Sequence, residues 1–142
     1  MTWLNLALLT LLFYGTFDLF VKLTSGKIHD GLGAFVINLV ATMVVALFLL
    51  YSSTNGEKIN YFKTEGVVYA IIAGILVGFA SIFFIKMFSS GAELSIAVPL
   101  VRVGTVLVSV LIGVLFLKEG FNPKFLIGFL LSMSGLYLLI TS

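Results

Sequence analysis

Long apolar stretches without charged side chains alternate with short polar links along the chain. Residues 1–17, 31–56, 66–85 and 125–142 contain no charged side chain, and Arg102 is the only one between residues 94 and 117. A transmembrane helix needs about 20 mostly apolar residues. The pattern therefore predicts an all-α integral membrane protein with five transmembrane helices. We expect these helices over residues 2–24, 31–52, 66–89, 94–117 and 123–140.

The composition excludes several classes of protein. Of the 142 residues, 61% are apolar and 10% are charged, whereas soluble domains average about 25% charged residues. This excludes a disordered chain and an ordinary soluble enzyme. A net charge of +2 is too small for a nucleic-acid-binding surface. The expected surroundings are a cell membrane crossed several times, so the lipid bilayer is a partner and nucleic acid is not.

No residue pattern indicates catalysis or a cofactor. The chain has no cysteine, which removes thiol catalysis, disulfides and cysteine-type metal sites. Its one histidine, His29, lies in a predicted turn with no second histidine or carboxylate cluster at ligand spacing. We therefore expect neither an enzyme nor a bound metal or cofactor.

Two prolines mark features of the last two helices. Asn122-Pro123 is typical of an N-cap followed by proline at the first helical position, which predicts where the fifth helix begins. Pro99 falls inside the fourth helix and removes one backbone hydrogen bond there. Interrupted helices are common beside the binding sites of transporters, and Pro99 lies three residues before Arg102.

The positive charges divide almost evenly between the two expected faces of the membrane. Five spans place Lys58, Lys63, Lys118 and Lys124 on one face, and Lys22, Lys27 and Lys86 on the other. A fixed orientation normally shows an excess of Lys and Arg on the cytoplasmic side. Two interpretations stay open: a weak bias that places the N-terminus inside, or dual topology, in which identical chains insert both ways and pair antiparallel.

Arg102 is the most costly residue in the predicted spans. It lies about 12 Å below the membrane surface at 1.5 Å per residue, and a central arginine costs about 2.5–3.5 kcal/mol on insertion scales. Thr105 and Ser109 follow at i+3 and i+7 and share its helical face. This arrangement favours a water-filled cavity that attracts anionic or carbonyl groups. The alternative is a structural arginine paired with a carboxylate or a helix C-terminus.

Asp18 is the second intramembrane charge. Tyr14 precedes it by four residues and Lys22 follows it by four. Asp18 and Lys22 fit an ordinary intrahelical ion pair near the interface. A carboxylate that titrates or contacts a substrate is the other interpretation, because such groups often serve proton relays. A pair between Asp18 and Arg102 across helices would satisfy both charges.

Small and amide side chains suggest how the helices associate. Ala70, Gly74 and Gly78 recur every fourth residue of the third helix, with Ser81 one turn beyond, and Gly128 and Ser132 repeat the spacing in the last helix. Such spacing permits close helix approach. Asn38 in the second helix is either a similar interhelical contact or a ligand-binding residue.

A short motif and two glycines stand out at the end of the chain: Phe-Leu-Lys-Glu at 116–119, Gly128 nine residues after that glutamate, and Gly135. With these residues the fourth and fifth helices resemble the EamA-like domain of the drug/metabolite transporter superfamily. The first helix, with Gly15 and Lys22, is similar to the opening of that domain. The resemblance covers the whole chain, so it implies one EamA-like domain over residues 1–142.

This resemblance implies a function. Most members contain two such domains in inverted orientation, ten helices around a central cavity, and work by alternating access. A chain with one domain is then half of that architecture. We expect a secondary transporter of a small polar or amphiphilic metabolite, acting as a dimer and most simply as an antiparallel homodimer. The alternative is a structural or accessory membrane protein that assembles through its small-residue faces. The expected substrate-binding residues are Arg102, Asp18, Tyr14, Asn38, Thr105, Ser109 and Ser81.

Overall fold

The computed structural model describes residues 3–56, 63–118, 120 and 122–141. Within these residues the chain is all-helical. The five helices are α1 (Trp3–Thr24), α2 (Asp30–Thr54), α3 (Thr64–Ser89), α4 (Leu94–Leu115) and α5 (Pro123–Thr141). Thr2, Lys58 and Glu119, which the sequence analysis used, lie outside the described residues.

Two helices, α2 and α3, begin before their predicted first residues, because the first turn of a helix tolerates an acidic side chain. Asp30 is the first residue of α2, and Glu65 lies in the first turn of α3. An acidic side chain there is favourable, since the helix dipole places partial positive charge at the N-terminus. A prediction from uncharged stretches alone therefore places the first residue of both helices too late in the chain.

The predicted end of the fourth helix is wrong by two residues. α4 ends at Leu115 instead of residue 117, and the Phe116 backbone N–H closes the last turn on the carbonyl oxygen of Ile112. Lys118 has a φ of 55°, a left-handed conformation in which a helix does not continue. The chain must therefore leave the helix before Lys118.

The features predicted around both prolines are present. The backbone N–H of Lys124 donates to Oδ1 of Asn122 over 2.9 Å, which is the N-cap bond expected at the start of α5. Pro123 is the first residue of that helix. Pro99 lies inside α4, where it offers no N–H to the carbonyl one turn earlier.

Four of the described helices have the length and composition that a bilayer requires. α1 to α4 are each long and apolar enough to cross a membrane. α5 has 19 residues, and the shorter segment Leu126–Gly135 is its described apolar part. Four of the five predicted spans therefore have the required length and composition.

The chain divides into two compact units: an N-terminal unit, Met1–Gly91, that contains α1 to α3, and a C-terminal unit, Ala92–Ser142, that contains α4 and α5. Among the described residues of the N-terminal unit, those that are buried lie where α1 ends, α2 begins and α3 ends, apart from Ser52 near the end of α2. We call this region the packed end, and its members are Asp18, Val21, Gly33, Ala34, Ile85 and Phe88. Most apolar side chains elsewhere in these helices are exposed, as expected for surfaces that face lipid.

Gly33 permits the close approach of three segments at the packed end. A Cβ atom built at this position would lie 3.2 Å from Cδ1 of Ile85 on α3 and 3.2 Å from Cγ2 of Thr24 on α1. Both distances are tighter than ordinary van der Waals contact. The missing side chain is therefore what lets α2 pack against its neighbours here.

Replacing Gly33 with valine should lower the free energy of unfolding by about 1–3 kcal/mol, the usual cost of overpacking a core. The matched control is Gly74→Val, because in the described structure a Cβ at Gly74 meets nothing within 4 Å. Both changes replace a helical glycine with the same residue. Denaturant titration of the purified protein in detergent should show the loss for Gly33→Val alone, and equal losses would contradict the close approach.

Candidate functional site

Asp18 is a buried acidic residue inside α1. It is 3% exposed and lies one turn before Val21, which is 2% exposed. Asp18 has an interaction partner, as burial of a charged group requires. Burial of a carboxylate within a membrane-spanning helix is costly and commonly marks a functional residue.

A cation–aromatic contact joins α1 to α3 beside Asp18. Nζ of Lys22 lies 5.3 Å from the centre of the Phe88 ring, within the range of cation–π attraction. The Phe84 ring meets Phe88 edge-on, with 5.1 Å between the ring centres. Lys22 therefore helps to hold the two helices together at the packed end, which spacing along α1 alone does not indicate.

Tyr14 lies one turn before Asp18 on α1. Its ring packs edge-on against Phe17, with 6.2 Å between centres, and the side chain is 53% exposed. The structure therefore holds a phenol on an accessible part of the helix, one turn from the buried carboxylate.

Asn38 and Ser81 are half-buried on α2 and α3. The Asn38 amide nitrogen donates to the carbonyl oxygen of Ala34 over 2.7 Å, and the Ser81 hydroxyl donates to that of Val77 over 2.8 Å. Both side chains thus donate a hydrogen bond to the backbone of their own helix. Their oxygen atoms keep the capacity to accept hydrogen bonds.

Arg102, Thr105 and Ser109 occupy one exposed face of α4. The helix is continuous through all three positions, so residues at i, i+3 and i+7 line up as the sequence predicts. All three side chains are exposed, and the Thr105 hydroxyl donates to the carbonyl oxygen of Val101 over 2.8 Å. This face carries two hydroxyl groups and the guanidinium group of Arg102, which has an interaction partner.

An open groove of about 320 Å³ lies between α4 and α5. Its described lining residues are Val103, Val106, Gly128, Phe129 and Ser132, none of which belongs to the predicted binding set. The Ser132 hydroxyl donates to the carbonyl oxygen of Gly128, so the groove is mainly apolar. The spacing of Gly128 and Ser132 along the chain predicts small packing residues but does not indicate a space beside them.

The predicted binding residues therefore lie in two groups, one in each compact unit. Arg102, Thr105 and Ser109 share one face of the C-terminal unit. Asp18 and Tyr14 are one turn apart on α1 of the N-terminal unit, where Asn38 and Ser81 are half-buried on the other two helices. A single site made of all seven residues stays a prediction. Within the described part of the chain, no cluster of three or more His, Cys, Asp or Glu side chains has metal-binding geometry.

Comparison with known proteins gives the family. Residues 1–141 match the EamA-like transporter family. The chain is also 31% identical over 137 residues to the uncharacterized protein MJ1333.1 of Methanocaldococcus jannaschii, a match that covers 96% of this chain and 95% of that protein. No solved structure matches the chain. With its long apolar helices and a family match over nearly its whole length, the chain belongs to the EamA-like transporter family and is a multi-pass protein of the cell membrane.

Proposed function

We propose that this protein is a secondary transporter that moves a small polar or amphiphilic metabolite by alternating access. The observation that carries the proposal is the family match over residues 1–141, which spans all five helices. The charged and hydroxyl side chains on α1 and α4 supply the polar surface that such a substrate needs. The chemistry is binding and release, so no cofactor is invoked.

The working unit is an antiparallel homodimer. Residues 1–142 form one five-helix domain, with α5 as its fifth span, and this domain is half of a ten-helix transporter. A second copy in the opposite orientation would complete the cavity between the two domains. Near-even division of the lysines between the two faces supports insertion in both orientations.

Arg102 and Asp18 supply the charges of the proposed site. The planar guanidinium of Arg102 is suited to carboxylate, phosphate or carbonyl groups of a substrate. Thr105, Ser109 and Tyr14 would supply hydrogen bonds, and the oxygens of Asn38 and Ser81 would accept them. Asp18, buried in the N-terminal unit, would contact the substrate when the transporter opens.

Cysteine accessibility tests whether the Arg102 face lines an aqueous cavity. The natural chain has no cysteine, so each introduced thiol reports alone. Thr105→Cys and Ser109→Cys should react with a water-soluble methanethiosulfonate in membranes. Leu111→Cys is the control, because Leu111 is also exposed, at 57%, but lies on the opposite side of α4 from Arg102. If none of the three introduced thiols reacts, the result would favour an accessory protein without a cavity.

Substitution of Arg102 tests its role in transport. Proteoliposomes should take up at least one solute from a panel of radiolabelled amino acids, sugars and quaternary ammonium ions. Arg102→Ala should abolish this uptake, and Arg102→Lys should restore only part of it, because lysine lacks the planar fork. Leu111→Ala is the matched control on α4. Undiminished uptake by Arg102→Ala would remove this residue from the site.

Added charges test the antiparallel dimer. Two lysines added after Ser142 should drive the chain into one orientation, and two added between residues 53 and 65 should drive it into the other. Each variant should be inactive alone, and co-expression of the two should restore uptake. Full activity of one fixed-orientation variant by itself would refute the antiparallel arrangement.

A further inference from the structure

A hydrogen bond between side chains joins α2 to α3 at the packed end. The hydroxyl of Ser89, the last residue of α3, donates to Oδ1 of Asp30, the first residue of α2, over 2.6 Å. This length is typical of a hydroxyl bound to a carboxylate, which makes a stronger bond than two neutral groups do. Asp30 and Ser89 therefore tie the ends of two neighbouring helices together.

Local hydrogen bonds of the neighbouring residues His29 and Ser90 hold the helix ends that carry Asp30 and Ser89. Nδ1 of His29 accepts the backbone N–H of Gly31 over 3.2 Å and so caps the first turn of α2. The Ser90 hydroxyl and backbone N–H both donate to the carbonyl oxygen of Lys86 and close the last turn of α3. Because each partner is held at a fixed helix end, their bond can break only if the helix ends separate or a side chain rotates away.

Asp18 lies inward from this bond. It precedes Thr24, the end of α1, by six residues, which is about 9 Å along the helix axis. Asp18, Val21 and Ile85 are each no more than 3% exposed, so the packed end closes this approach to the carboxylate. Gly33 of α2 meets Ile85 of α3 at this end, so separation of α2 from α3 would loosen the packing here.

We propose that the Asp30–Ser89 hydrogen bond is a gate that closes one route to Asp18 and breaks when the transporter opens toward this face. The inference rests on the proposed function, in which Asp18 contacts the substrate. Water replaces such a bond readily, since Ser89 is exposed and Asp30 is half-buried, so its net contribution is small enough for reversible opening. Gly33, one turn into α2, supplies the close contact that re-forms when the gate shuts.

Two single-cysteine reporters measure opening at this end and its consequence at the other. Val21→Cys places a slightly smaller side chain at a buried position of the packed end. Ala70→Cys lies on the same face of α3 as Phe88 but near the other end of that helix, where Ala70 is exposed. Labelling rates with a water-soluble methanethiosulfonate are measured in proteoliposomes for both reporters.

Ser89→Ala, which removes the donor, should raise the labelling rate of Val21→Cys by about tenfold. It should lower that of Ala70→Cys, because in alternating access one end closes as the other opens. The matched control, Ser89→Thr, keeps the hydroxyl and should leave both rates unchanged. If Val21→Cys does not fold, Thr24→Cys is a nearly isosteric reporter at the same end.

Unchanged labelling of the packed-end reporter in Ser89→Ala would overturn the gate. A faster rate there with no change at Ala70→Cys would also overturn it, because that result describes local loosening only. If proteoliposomes take up a solute from the panel but the two labelling rates do not change in opposite directions, the gate is rejected and the proposed transport function stands. The reciprocal change without uptake of any panel solute would keep the gate and reject the proposed class of cargo.

Discussion

The hydrocarbon core of a bilayer offers no hydrogen-bond partner to a peptide group, so each membrane-spanning segment must satisfy its backbone internally. This constraint makes each apolar stretch a helix and leaves unsatisfied backbone groups only at helix ends. Polar side chains accordingly act there. His29 caps α2, Asn122 caps α5, and Asp30 binds Ser89 where α2 and α3 meet. Side chains at the helix ends therefore satisfy backbone groups there and also join α2 to α3.

Helix positions could be predicted from the sequence because the bilayer imposes a length on each apolar segment. The cap at Asn122 was also predictable, since asparagine before proline specifies a local backbone geometry. Predictions failed where a local rule did not apply. Because the spans were predicted as uncharged stretches, the predicted second helix left out Asp30, although an acidic side chain is favourable at a helix N-terminus. Because Phe116 and Leu117 are also apolar, the predicted fourth helix continued past Leu115. The backbone at Lys118, however, has a left-handed conformation in which a helix does not continue.

Relations within one helix were easier to predict than contacts between helices. The common face of Arg102, Thr105 and Ser109 follows from helical period alone. Gly74 and Gly78 looked like contact positions, yet in the described structure a Cβ at either meets nothing within 4 Å, whereas Gly33 carries the close approach. Spacing identifies small residues but not the side chains opposite them. For the same reason the sequence did not indicate the contact of Lys22 with Phe88 or the groove beside Gly128.

Many hydroxyl groups in these helices bond to the carbonyl one turn earlier in their own backbone. Thr10 and Thr16 on α1, Thr42 on α2 and Ser134 on α5 all do so. A hydroxyl satisfied in this way places no unpaired donor in lipid. These hydroxyl groups therefore need no neighbouring helix as a hydrogen-bond partner, and they impose no order on the assembly of the bundle during biogenesis. Asp18 differs, because a buried charge depends on the finished fold for its surroundings.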